Sequence, residues 1–212
     1  MDKILQTTNA THYDRYPEIF SVASVIGKEI SEKENRKLDI LSFGCSFGKE
    51  VAAFEDKYFV NDNIIGIDIN EDCISNCKSS GLKSNFFTAN EFSKFTNIKF
   101  DFVFCMSVLC RMVNNINEPP LSFEDFNDTC KYLDSKIKVG GYFIDYNSNY
   151  YFLDSEIGSN YEPIKHESIK SANTHTIKYK PNGVDKIETD ICIFKKIKNI
   201  LNQKPLDNPR GF

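Results

Sequence analysis

The stretch "LDILSFGCSFGKE", residues 38–50, runs a short apolar segment straight into two glycines, a cysteine and two serines. An apolar run ending in G-x-x-x-G and feeding a helix brings backbone N–H groups close to a ligand, because glycine carries no Cβ to obstruct the approach. Gly44 and Gly48 are the two glycines. The phosphate-loop pattern ends in Gly-Lys-Ser/Thr, and Gly48-Lys49-Glu50 puts a carboxylate where the magnesium-binding hydroxyl belongs, so that reading fails. The dinucleotide fingerprint asks for a third glycine and a nearby pyrophosphate, which Glu50 would repel. Cys45 has no base near it in sequence to activate a thiolate, and reads as a small residue between strand and helix.

Outward from this loop, apolar segments alternate between strand-like and helix-like. Strands are expected over 38–43, 64–68, 84–88, 100–106, 141–146, 174–180 and 187–197. Helices are expected over 47–59, 71–79, part of 107–116 and 122–137. The early strands are short continuous apolar runs, as in a parallel sheet buried on both faces. Asn70 is placed to cap the helix at 71, with Gly81 past its end, and Ser122 with Asp125 suggests a cap for the last helix. Strand–helix alternation through residue 146 is the signature of an α/β fold, and "KPNG" at 180–183 reads as the turn of a closing hairpin. With 212 residues, one domain over 1–212 is expected, with 1–36 as an N-terminal helical or lid segment, 37–198 as the core and 199–212 as a loosely held tail.

Composition narrows the partners. The chain is 41% hydrophobic and 26% charged with a formal charge of −4, and no Lys/Arg cluster forms the basic face that nucleic acid requires. No apolar run reaches membrane-spanning length, and the N-terminus lacks a signal-type apolar core, so no membrane association and a cytoplasmic location are expected. Seven scattered cysteines fit that compartment. Cys73 and Cys77 share a helix face, but no second Cys or His pair completes a metal site, so no metal is expected.

S-adenosylmethionine is the third reading of the glycine loop. It has no phosphate and tolerates Glu50, and its ribose hydroxyls want a carboxylate at the end of the second strand. "NIIGIDIN" supplies Asp68 there, twenty residues after Gly48. On these residues the chain resembles the class I S-adenosylmethionine-dependent methyltransferases. "SFGCSFGKE" is similar to the glycine motif of the chemotaxis-receptor methyltransferases, and "IIGIDIN" to the family's ribose-binding strand. "TANEF" resembles the turn after its third strand, "FDFVFCMSVL" its fourth strand, and "LDSKIKVGGYFID" the approach to its fifth.

The resemblance implies a Rossmann-like seven-stranded, mostly parallel sheet with an antiparallel C-terminal hairpin and helices on both faces, the hairpin supplying the strand inserted beside the fifth. It implies cofactor contacts from Phe43, Gly44, Cys45, Ser46 and Gly48, from Asp68 and Ile69, from Asn90 and Glu91 beside the adenine, and from Cys105, Met106 and Ser107 past the methionine part, with Arg15 paired to its carboxylate. Ser42 and Ser46 depart from the commonest motif but are normal in the chemotaxis enzymes. The chain begins too near its glycine loop for those enzymes' N-terminal helical domain, and has no room for their receptor-docking insertion. Methylation of receptor glutamates is therefore not expected.

The acceptor is read from the residues just past the fourth strand. Base methyltransferases carry N/D-P-P-Y/F there, and the metal-dependent catechol-type enzymes carry carboxylates; this chain has Cys105-Met106-Ser107-Val108. A hydroxyl acceptor needs a base within hydrogen-bond reach. His12, in "THYDRYPEIF" ahead of the first helix, is the favoured one; His166 is second, and His175 reads as structural. Tyr13, Arg111, Asn147, Asn149 and Tyr150 are the candidate acceptor contacts, the last three in the Asn/Tyr-rich "DYNSNYYF". The expected function is methyl transfer to a small polar acceptor, favoured as a hydroxyl of a sugar or surface-glycan precursor in polysaccharide biosynthesis. The rivals are a nicotinamide-dependent oxidoreductase on a similar sheet and a non-catalytic methyltransferase-like subunit.

Overall fold

The computed structural model describes residues 5–6, 8–111, 121–170 and 176–199. Nine strands are found among them: β1 (Asp39–Phe43), β2 (Asn63–Asp68), β3 (Asn85–Thr88), β4 (Phe100–Met106), β5 (Ile137–Tyr146), β6 (Tyr161–Ile164), β7 (Lys178–Tyr179), β8 (Lys186–Ile187) and β9 (Ile193–Lys196). The α-helices are α1 (Pro17–Glu34), α2 (Lys49–Ala53), α3 (Glu71–Ser79), α4 (Ala89–Ser93) and α5 (Phe123–Asp134), with a π-helical turn over Phe54–Tyr58 continuing α2. Seven strands form one sheet in the order β3-β2-β1-β4-β5-β9-β6, in which β9 alone runs against its neighbours.

Alternate residues of the central strands feed two cores. Ile40, Phe102, Phe104 and Ile144 face α1 and the π-helical turn, where Phe54 lies 5.0 Å from Phe20 and 4.5 Å from Phe104. Leu41, Val103, Phe143 and Phe194 face the other way, onto Phe126 and Leu133 of α5. A sheet covered on both faces is what the continuous apolar runs of β1 and β4 demand.

The caps form as their sequences suggest. Asn70 Oδ1 accepts from the amides of Asp72 and Cys73, and Ser122 Oγ accepts from the amide of Asp125. Four expectations need correction. The hairpin at 178–187 exists, but as a separate two-stranded sheet; the strand beside β5 is β9, after the hairpin. The span expected as one strand over 187–197 is accordingly divided between β8 and β9. The outer strand β6, with Pro163, had no strand-like pattern, and proline is tolerated there because an edge strand leaves one side unpaired. Residues 107–111 are not helical, and the rest of that expected helix lies outside the described residues, as do His175 and the tail from 200. No described helix is long and apolar enough to cross a membrane.

Candidate cofactor cleft

The cleft opens at the C-terminal ends of β1, β2 and β4, where parallel strands hand over to loops. Gly44 (φ +72°) and Gly48 (φ +70°) both occupy the left-handed region. Their lack of a side chain serves the protein's own packing. A Cβ on Gly44 would lie 2.5 Å from Cγ2 of Val108, and one on Gly48 would lie 3.0 Å from Sγ of Cys77. The amides of Gly44 and Cys45 donate to the Ile67 carbonyl at 2.8 and 2.9 Å, which ties the loop to β2. Asp68 completes the tie: one carboxylate oxygen accepts from the Ser46 amide at 2.8 Å and the other from the Asn70 amide at 2.9 Å. Each oxygen keeps a further lone pair for a ligand.

Residues 8–16 cross over this floor as a strap. Ser46 Oγ donates to the Asn9 carbonyl at 2.9 Å, and Arg15 Nη1 donates to the Ala10 carbonyl at 3.2 Å. Asp14 fastens the strap to the π-helical turn, taking Lys57 Nζ at 2.9 Å and the Tyr58 hydroxyl at 2.7 Å. Strap and floor together line the cleft, which opens to solvent.

Glu50 lies on the floor and accepts from Ser42 Oγ at 2.9 Å. Removal from water pushes its carboxyl up to about 7, against the opposing pull of Ser42 and Arg15. At the far end of the cleft, Tyr16 and Ser107 join hydroxyls at 2.6 Å. Asn147 Nδ2 reaches both, at 3.1 and 3.0 Å. Contact with Cys77 and burial push the Cys45 thiol up, so it stays protonated and is a poor nucleophile. Among the described residues no group of three or more His, Cys, Asp or Glu side chains could hold a metal ion.

The structure gathers at this cleft His12, Arg15, Phe43, Gly44, Cys45, Ser46, Asp68, Ile69, Met106 and Ser107. Other expected site residues lie elsewhere. Gly48 turns toward α3, Cys105 is buried inside the sheet, and Glu91 is engaged in a capping box with Thr88 at the start of α4, with Asn90 exposed beside it. Tyr13 is on the outer side of the strap, its hydroxyl directed at Asp56. Asn149 is 0% exposed and braces the chain, accepting from the Arg111 and Leu121 amides and donating to the Ile177 carbonyl. Tyr150 is buried against Phe123 and Phe126. Arg111 does not line the cleft, and His166 bonds Ser168 in an exposed loop. Asn147 touches the cleft only through Tyr16 and Ser107.

Thr8, Asn9, Thr11, Tyr16 and Ala89, which carry no motif in the sequence, also line the cleft, as do Glu50 and Val108, to which the sequence assigned no contact. Tyr16 sat in "THYDRYPEIF", close to singled-out neighbours, but nothing in spacing separates it from Tyr13.

A protein-family profile described as "Methyltransferase domain" matches residues 41–144. No curated protein sequence matches the chain. Among solved structures, an S-adenosylmethionine-bound amino pentose methyltransferase, CalS10 of Micromonospora echinaspora, is similar at 11% identity over 61% of this chain and 52% of its own, with a TM-score of 0.42. The PH0226 protein of Pyrococcus horikoshii is similar at 20% identity over 66% and 63%, with a TM-score of 0.42. An S-adenosylmethionine-dependent methyltransferase of Clostridium acetobutylicum is similar at 22% identity over 73% and 62%, also at 0.42. The chain thus spans between about half and five-eighths of the length of these three proteins.

Proposed function

We propose that the chain is a class I S-adenosylmethionine-dependent methyltransferase, in keeping with the methyltransferase-domain match over residues 41–144, and that it methylates a hydroxyl of a sugar or surface-glycan precursor. The observation that carries the acceptor class is the strap. Thr8, Asn9, Thr11 and His12 put hydrogen-bonding side chains on the cleft, which suits a hydroxyl-rich molecule. Among the described residues, the titratable side chains lining the cleft are His12, Arg15, Glu50 and Asp68. A dinucleotide diphosphate would face Glu50 with a single guanidinium to offset it, which disfavours the nicotinamide reading.

In this proposal Asp68 takes the ribose hydroxyls on its spare lone pairs, Ile69 and Ala89 lie against the adenine, and Gly44–Ser46 form the floor. Met106 and Ser107 border the methionine end, and Arg15 is the cation nearest it. The cofactor supplies an electrophilic methyl group on a sulfonium. The chain aligns the acceptor oxygen behind that methyl and excludes water, which is most of what an in-line displacement needs. His12 is the side chain that would take the acceptor's hydroxyl proton, leaving the oxygen to accept the methyl group. The proposed setting is the cytoplasm, on polysaccharide precursors, with residues 1–36 serving as the lid of a single domain.

The test is incubation of the protein with S-adenosylmethionine and a panel of sugar nucleotides and small metabolites, read by mass spectrometry. A methylated sugar, with turnover lowered at least tenfold by His12→Ala at unchanged S-adenosylhomocysteine affinity, is expected. Methylation only of peptides or amines would overturn the acceptor class. Equal turnover of His12→Ala and wild type would remove His12 as the base.

A further inference from the structure

Two thiols from separate elements meet beneath the glycine loop. Cys45 belongs to the loop and Cys77 to α3, and both are buried, at 3% and 1% exposure. Cys77 Sγ donates to the Ser46 carbonyl at 3.3 Å, and Cys45 Sγ approaches the same oxygen at 3.8 Å. The two thiols also share a hydrogen bond. Two glycines leave room for the sulfurs: a Cβ on Gly66 would lie 3.0 Å from Cys45 Sγ, and one on Gly48 equally close to Cys77 Sγ. Cys45 also lines the cleft, so a small oxidant reaches the pair from there. The hydrogen bond from Cys45 draws the Cys77 thiol below its usual range, against burial and the charge of Asp68, which makes Cys77 the better nucleophile. Cys73, one turn earlier in α3, is instead held above that range by burial.

We propose that Cys45 and Cys77 form a dithiol that closes to a disulfide under hydrogen peroxide and so weakens ligand binding at the cleft. The Cys77 thiolate attacks one peroxide oxygen and the O–O bond breaks. Cys77 becomes a sulfenic acid, and the departing hydroxide leaves as water with the proton that the thiol gave up. Cys45 then attacks the sulfenic sulfur, the S–O bond breaks, and the hydroxyl leaves with the Cys45 proton as a second water. Two thiols are thereby oxidised by two electrons and one peroxide is reduced to water. Sulfurs about 2 Å apart in a disulfide stand well inside hydrogen-bond contact, so closure pulls the loop toward α3. The pull falls on the Gly44 and Cys45 amides, held by the Ile67 carbonyl, and on the Ser46 amide, held by Asp68. A reversible disulfide of this kind is the sensing use of cysteine in a reducing compartment. The effect on S-adenosylhomocysteine rests on the proposed methyl-donor reading; formation of the disulfide does not.

The test treats reduced protein with hydrogen peroxide, identifies linked cysteines by fragmentation mass spectrometry, and titrates the oxidised protein with S-adenosylhomocysteine by calorimetry. Wild type should lose two hydrogens in mass and give a Cys45–Cys77 link. It should then bind S-adenosylhomocysteine about tenfold more weakly, with recovery in dithiothreitol. Cys77→Ser, which lies outside the cleft lining, should bind like reduced wild type both before and after peroxide. Cys77→Ala serves if thermal melts show that the serine variant is not folded. No link, or a link through Cys73 or another cysteine, overturns the dithiol. A link with unchanged affinity, or an equal loss of affinity in the oxidised variant, overturns the switch. Reduced wild type that binds no S-adenosylhomocysteine yet forms the link supports the dithiol and overturns the methyl-donor reading.

Discussion

At the N-terminal ends of the strands, Asp101 is 5% exposed at its side chain and fully satisfied. It accepts from both terminal nitrogens of Arg36 at 2.7 Å, from Lys138 at 3.0 Å and from the Asp39 amide at 2.8 Å. At the C-terminal ends of the same strands, Asp145 and Asn147 each bury an oxygen with no partner, and Gly44, Ser46, Ser107 and Asn147 all hold positive φ. Desolvation lifts Glu50 to about 7 and Asp145 to about 6 at this end, whereas the pairing with Arg36, Asp39 and Lys138 outweighs desolvation and holds Asp101 below the ordinary carboxylate range. One end of the sheet uses its polar groups for stability; the other carries desolvated carboxyls, unpartnered oxygens and strained backbone around the cleft.

Asp101→Ala attacks the stable end and has the largest expected effect. It removes the acceptor shared by Arg36, Lys138 and the Asp39 amide, leaving Arg36 with Glu34 and Lys138 with Asp39, and should cost roughly 3 kcal/mol in chemical denaturation, with S-adenosylhomocysteine affinity unchanged. Because its folded pKa lies below the unfolded one, the contribution is complete above the unfolded value and is lost as pH falls through the folded one. The gap between wild type and variant should therefore narrow below about pH 4. An equal loss of affinity would show that the two ends are not separable.

Gly44→Ala strikes the other end. The positive φ and the 2.5 Å approach to Val108 together should cost about 2 kcal/mol. Gly44→Ala with Val108→Ala should recover the steric part and leave the backbone part. No recovery in the double variant would mean that Val108 is not what the loop packs against.

Glu50→Gln sharpens the contrast with an effect of the opposite sign. A carboxyl whose folded pKa is raised destabilises the protein as pH climbs from its unfolded value, near 4.5, to about 7. The variant should be as stable as wild type near pH 4 and increasingly more stable than wild type as pH rises, the gap levelling off above about 7. A pH-independent difference in melting temperature would contradict the desolvation of Glu50.

The same contrast explains what could be read from the chain. β1 to β4, the capping residues Asn70 and Ser122 and the glycine loop were legible because local pattern decides them: apolar runs, cap chemistry and glycines without alternatives. Ile193–Lys196 was placed within a longer strand, and the resemblance put that strand beside β5; its separation from the β7–β8 hairpin depends on long-range pairing that the short, polar β7 and β8 could not signal. Asn149 and Tyr150 have the composition of a binding loop, yet their hydrogen bonds and rings serve the fold. Tyr16 and Asn147 meet across 131 positions of sequence, so no spacing could have joined them.

The central claim, a cleft built for S-adenosylmethionine, is tested most directly by calorimetric titration of wild-type, Asp68→Asn and Asp68→Ala proteins with S-adenosylhomocysteine and with NADH. Wild type should bind one equivalent of S-adenosylhomocysteine, with affinity reduced in Asp68→Asn and at least tenfold lower in Asp68→Ala, and NADH should give no heat. Wild-type protein that binds NADH and ignores S-adenosylhomocysteine, or equal affinity across all three proteins, would contradict it.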